Sequence, residues 1–159
     1  MKKAGKIKKR LIALATVLIA LNLIFVSEIS ASSVDKKLGV GMAIPASITI
    51  KLWTNVINSV DIKIGWNLDN DKSRICFDYL WHNFDFFPET ENLNFYYGLG
   101  GKFCSGEKKD KLGLRIIFGI NYIFREAPFD FFMEISPTLQ LSPSTKLEID
   151  PAIGLRYFF

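Results

Sequence analysis

The chain has 159 residues, 49% of them hydrophobic and 14% aromatic, with a formal net charge of +4. That length allows one domain. Six of the 20 basic and one of the 16 acidic residues lie in positions 1–32, leaving 14 and 15 for the remainder; this near-neutral balance excludes an electrostatic footprint for nucleic acid.

Residues 1–32 read as a signal peptide. Lys2, Lys3, Lys6, Lys8, Lys9 and Arg10 form a basic start, Leu11 to Val26 an uncharged apolar stretch, and Ser30-Ala31-Ser32 a small-residue cleavage site. The competing reading is an uncleaved membrane anchor, since sixteen apolar residues approach the length of a span. The second unit is then 33–159.

Turn-like clusters divide that unit into alternating segments. Leu38–Ile44 alternates small and large apolar residues and is broken by Pro45-Ala46. Ser47–Trp53 and Ser59–Trp66 follow, then the polar loop Asn67–Lys72. Ser73–Phe86 is a long segment turned by Phe87–Asn92. Leu93–Ser105 leads to the most charged loop, Gly106–Lys111. Leu112–Phe124, Phe129–Leu141 and Lys146–Phe159 alternate most cleanly.

The predicted fold is all-β: an eight-stranded antiparallel transmembrane β-barrel preceded by a signal peptide. Eight is even and is the smallest usual strand number for such barrels. One face is apolar and aromatic, which suits lipid, with Trp66, Tyr79, Trp81, Tyr97, Tyr122 and Tyr157 placed for interfacial girdles. The other face carries Lys51, Lys63, Arg74, Lys102, Arg115, Arg125 and Arg156 against Asp61, Asp78, Asp130, Glu134, Glu148 and Asp150. So small a barrel is filled by its own side chains, so these charges form a mutually paired plug. Lys63, Asp78, Arg115, Glu134 and Arg156 are its candidate centre, and glycines 98, 100, 113, 119 and 154 leave room for long Arg and Lys side chains. The rival fold is a soluble lipocalin-like barrel with the apolar face turned inward.

Two registers follow from placing the turns symmetrically. A turn centred between Asn70 and Asp71 puts Lys63 opposite Asp78. Pairing Phe86 with Asn94 puts Cys76 opposite Cys104, a spacing that permits a disulfide in an oxidising compartment; the alternative is two buried free thiols.

Several stretches carry a resemblance: Phe118-Gly119-Ile120-Asn121-Tyr122, Ala127-Pro128-Phe129-Asp130-Phe131-Phe132-Met133-Glu134, Ser142-Pro143-Ser144-Thr145 and Ala152-Ile153-Gly154-Leu155-Arg156-Tyr157-Phe158-Phe159, with Tyr79-Leu80-Trp81-His82 and Tyr96-Tyr97-Gly98-Leu99-Gly100-Gly101. They resemble a family of small outer-membrane β-barrels of spirochaetes and other double-membraned bacteria. The resemblance implies an OmpA-like eight-stranded barrel in the outer membrane. It implies Tyr157 and Phe159 as a signal to the barrel-assembly machinery, and a host surface protein as a partner. It carries over no catalytic residue.

The functional expectation is a monomeric outer-membrane protein with a structural or surface-interaction role in the cell envelope, in contact with outer-membrane lipid. It needs no cofactor, metal or nucleic acid. The alternative is a lipid-modifying enzyme of the lipid A hydrolase or acyltransferase type, with His82, the only histidine, as a general base oriented by Asp78. The Glu107–Lys111 run reads as a solvated loop, or as a site for lipid phosphates or a host glycan.

Overall fold

The computed structural model describes residues 37–67, 72–90, 92–106, 110–124 and 126–159. Residues 1–32, expected to be a signal peptide, the centre of the Asn67–Lys72 loop, Lys108, Lys109 and Arg125 lie outside the described residues.

Eight strands form one closed antiparallel barrel in sequence order. They are β1 (Leu38–Ile44), β2 (Ser47–Trp53), β3 (Asn58–Asn67), β4 (Lys72–Asn83), β5 (Leu93–Ser105), β6 (Lys111–Ile123), β7 (Phe129–Ser142) and β8 (Lys146–Phe158). Each strand alternates because successive side chains leave opposite faces of the sheet. The burial is inverted relative to a soluble barrel. Leu114, Leu99 and Phe77 are among many apolar residues pointing outward, whereas Lys51, Asp61 and Asp78 are fully buried inside. This overturns the lipocalin-like alternative, which needs its apolar face around the interior.

Following Cα partners once round the barrel from Arg156 leads through Gly41, Thr49, Lys63, Cys76, Lys102, Gly113 and Gln140. The path returns to β8 at Lys146, ten residues from its start. With roughly 3.3 Å per residue and about 4.8 Å between strands, that stagger corresponds to a tilt of about 40°.

The wall is uneven. The ends near Leu38 and Phe158 form a level lower rim, where each strand meets its neighbour's end. The upper rim drops at β1 and β2, which have seven residues each against 13 or 14 in β5 to β8. At the tilt above, the tall strands rise about 30 Å along the axis and the short pair only about 17 Å. β1 therefore covers β8 only from Ile153 to Phe158, and Lys146–Ala152 are paired with β7 alone among the described residues. Pro151 stands just beyond the last β1–β8 pair, Ile44 with Ile153. A proline has no ladder N–H to leave unpaired, which suits it to an edge.

Aromatic residues gather towards the lower rim on the outer surface. Trp81 stacks on Tyr97 at 5.8 Å, Phe86 on Phe95 at 4.9 Å, and Tyr157 meets Phe129 and Phe159 edge-on. Of the six expected girdle residues, only Trp66 lies at the upper end of its strand.

Two expected registers are corrected, each by two residues. β4 stops at Asn83 rather than Phe86 because the Asn83 side chain accepts the Asp85 N–H at 3.0 Å and turns the chain into a 3-10 turn, Phe84–Phe86. The ladder then pairs Cys76 with Lys102 and Arg74 with Cys104. Cys76 and Cys104 are diagonal neighbours, a separation of about 7–8 Å that no disulfide spans, and both thiols are free. In the β3–β4 hairpin, Asn67 pairs with Lys72, so Lys63 faces Cys76 and Asp61 faces Asp78.

Candidate functional site

Among the described residues, the chemically active side chains converge in the lumen. Four cations besides Lys102, namely Lys51, Lys63, Arg115 and Arg156, and four anions, Asp61, Asp78, Asp130 and Glu134, are buried in it. They come from β2, β3, β4, β6, β7 and β8, and alternation sends each inward. A buried ion is tolerated only when it is paired and hydrogen-bonded.

Lys63 is the hub. Its Nζ lies 3.1 Å from carboxylate oxygens of Asp61, Asp78 and Glu134. The expected Lys63–Asp78 pair thus exists, across a diagonal rather than directly. Arg115 donates to Ser136 Oγ at 2.6 Å and pairs with Glu134 at 3.2 Å and Asp78 at 3.4 Å. Arg156 binds Asp61 through Nη1 and Asp130 through Nε, each at 2.9 Å, and its guanidinium lies 4.0 Å from the Phe132 ring centre. Thr49 donates to Asp61 at 2.8 Å, Tyr96 to Glu134 at 3.1 Å and Asn121 to Asp130 at 3.3 Å. The five residues expected at the centre, Lys63, Asp78, Arg115, Glu134 and Arg156, are thus brought together. Tyr96 and Thr49 were missed as members; their place on the inward face was the only available signal.

A second cluster lies higher. Lys102 Nζ is 2.7 Å from Asp150 and 3.2 Å from Glu148, and Thr138 donates to Asp150 at 2.9 Å.

The lower end is closed by His82 and its neighbours. The Lys51 ammonium lies 2.8 Å from His82 Nε2, and Nδ1 lies 3.3 Å from the Ile57 carbonyl. This pattern fits a neutral imidazole, with Nδ1–H donating to the carbonyl and Nε2 accepting from the ammonium. Trp53 packs 4.4 Å from the imidazole and Tyr96 5.3 Å. The expected orientation of His82 by Asp78 is wrong. Asp78 is engaged by Lys63 and Arg115, and the lone pair a general base would use faces a cation.

The glycines also serve a different purpose from the one expected. A Cβ at Gly119 would run into the Tyr96 ring, one at Gly154 into the Phe132 ring, and one at Gly98 into Leu80. These glycines admit bulky lumen residues. Gly65 gives room to the Arg74 guanidinium, while Gly41 lies against the Leu155 and Arg156 backbone as well as the Arg156 stem.

Such an arrangement binds side chains to one another, and among the described residues the lone histidine is held by the Lys51 ammonium and the Ile57 carbonyl. The interior is a packed network.

No family model matches the chain, and no curated protein does. Among solved structures, the chain is similar to the N-terminal β-barrel domain of Pseudomonas aeruginosa OprF, with a TM-score of 0.52 and 12% sequence identity over 77% of this chain and 94% of that one. At that identity the likeness concerns the fold, and the chain shares with that domain a closed β-barrel architecture.

Proposed function

We propose that this chain is a small outer-membrane β-barrel protein with a structural or surface-interaction role in the envelope, its lumen closed by paired charges. The observation that carries this reading is the inverted burial: an apolar exterior around an interior lined by buried charged and polar side chains. Only a closed barrel satisfies every strand N–H and C=O in lipid. The tall strands have the length of a membrane span, and the lower aromatic belt suits an interface. The likeness to the OprF barrel domain supports the closed-barrel architecture on which this reading rests. In this reading residues 1–32 direct export and are removed, the barrel-assembly machinery inserts the chain, and the lower rim faces the periplasm. The upper turns, including Pro45–Ala46 and Ser142–Thr145, then face outward, where a host surface protein is a partner they would meet.

Cell fractionation with gel migration of boiled and unboiled samples tests the proposal. The expected result is an outer-membrane protein whose unboiled form migrates faster. A monodisperse protein that needs no detergent overturns it.

A further inference from the structure

The low wall at β1 and β2 leaves a lateral notch between the upper parts of β8 and β3. Its floor is the Pro45–Ala46 turn, anchored by the Trp66 N–H bonding to the Ala46 carbonyl at 3.1 Å. Outward-facing Leu147 and Ile149 flank it on β8, and Ile44, 75% exposed, stands beside the floor. The seam uses odd-numbered residues of β8, as the Phe159 N–H bond to the Leu38 carbonyl shows. The backbone groups of Leu147 and Ile149 therefore point into the notch.

Arg74 sits immediately behind this opening. A Cβ on Gly65 would lie 3.1 Å from Arg74 Nη2, 3.2 Å from its Nε and 3.3 Å from the Ala46 carbonyl oxygen. The guanidinium therefore rests on Gly65 beside the notch floor. Its Nε is buried and has no hydrogen-bond partner, and no carboxylate lies within 4 Å of it among the described residues. Lys102, behind it, is already held by Glu148 and Asp150. A guanidinium is a planar donor array suited to phosphate.

Resting on the membrane-barrel reading above, we propose that the notch is a docking site for an anionic phospholipid of the outer leaflet, its phosphate on the Arg74 guanidinium and its chains along Leu147 and Ile149. Two physical conditions meet here. A wall of about 17 Å is far shorter than a hydrocarbon core of about 30 Å, so the bilayer thins at this side and its headgroups descend towards the notch floor. The descending phosphate finds the half-buried Arg74 guanidinium, which has no carboxylate within 4 Å among the described residues, and the open β8 edge gains the polar partners that hydrocarbon denies it.

The test is native mass spectrometry of the full chain in detergent with added phosphatidylglycerol or phosphatidylcholine. The wild type is expected to retain phosphatidylglycerol roughly ten-fold better, and Arg74→Gln to abolish most of that preference while leaving phosphatidylcholine unchanged. Ala46→Glu, a turn substitution that gives the guanidinium a carboxylate within the chain, is expected to have the same effect. Its use keeps the test decisive if Arg74→Gln does not fold. Equal retention of the two lipids by the wild type overturns the proposal, as does undiminished phosphatidylglycerol binding in folded variants. Displacement by inorganic phosphate at equal potency assigns the cation to a free anion and also overturns it. A chain that migrates identically boiled and unboiled and is soluble without detergent instead defeats the membrane-barrel reading.

Discussion

Asp61 and Asp78 stand directly opposite each other on β3 and β4, both without solvent exposure, and the Lys63 ammonium lies 3.1 Å from an oxygen of each. Like charges so placed repel. The pair persists because Lys63 sits between them, Arg156 draws on Asp61 and Arg115 on Asp78. The charge network is thus a set of mutual obligations, in which the cost of losing a member depends on how many others relied on it.

Lys63→Met should therefore be the most damaging single change in the lumen. It leaves three buried carboxylates short of a counter-ion, a loss of about 3–5 kcal/mol. Asp78→Ala should cost less, because Lys63 keeps Asp61 and Glu134. The double variant should lose less than the two singles together. Urea unfolding in lipid vesicles, read by the migration of unboiled samples, checks the ranking; additive losses would remove the hub role.

Two glycines should respond differently to alanine. At Gly119 the obstacle is the Tyr96 ring, with the hydroxyl oxygen 2.5 Å from the added Cβ. The substitution should cost about 1–3 kcal/mol, and a second change, Tyr96→Leu, should recover part of it. At Gly41 the obstacles include the Leu155 carbonyl and the Arg156 Cα, 2.7 Å away. Backbone cannot step aside, so Gly41→Ala should impair closure of the β1–β8 seam with no side-chain rescue. The same unfolding assay, run on both alanine variants and on the double change, separates the cases.

The thiols report the register. Labelling denatured, unreduced protein should find two free thiols per chain, since Cys76 and Cys104 lie on a diagonal. Arg74→Cys places a thiol directly opposite Cys104. At about 4.5–5.5 Å between Cα atoms, that pair should oxidise and leave one labelled thiol, Cys76. A crosslink between Cys76 and Cys104 in the unaltered chain would show the register to be wrong.

The carboxy terminus finishes the seam. The Phe158 N–H bonds to the Pro128 carbonyl at 2.7 Å and the Phe159 N–H to the Leu38 carbonyl at 2.9 Å, while the Phe158 ring covers Gly39. Removing both residues deletes two ladder bonds and a buried aromatic, together about 3–5 kcal/mol. The truncated chain should be exported at normal levels but recovered mostly as the unfolded gel form. An unchanged folded fraction would deny these residues a part in closure.

The amino-acid sequence by itself determined which way each side chain faces. Strand periodicity is two, so the run from Lys146 to Phe158 assigns Arg156 to the interior and Leu155 to the exterior without reference to any neighbour. The same logic placed Lys63, Asp78, Arg115 and Glu134 in one compartment and made the barrel legible. Register was decided elsewhere. A slip of one residue exchanges the two faces and is forbidden by the pattern, but a slip of two preserves every facing and leaves no trace in hydropathy. Both hairpins that differed from expectation, around Asn83–Leu93 and Asn67–Lys72, differed by two. What set the register at the first was a local hydrogen bond, Asn83 to the Asp85 N–H. Only the closed structure could decide the partners of each charge, because Lys63 reaches Glu134 and Arg156 reaches Asp61 across the lumen rather than along it. It alone revealed the notch as well, since two short strands become an opening only when the stagger of a tilted barrel sets them beside the tall edge of β8.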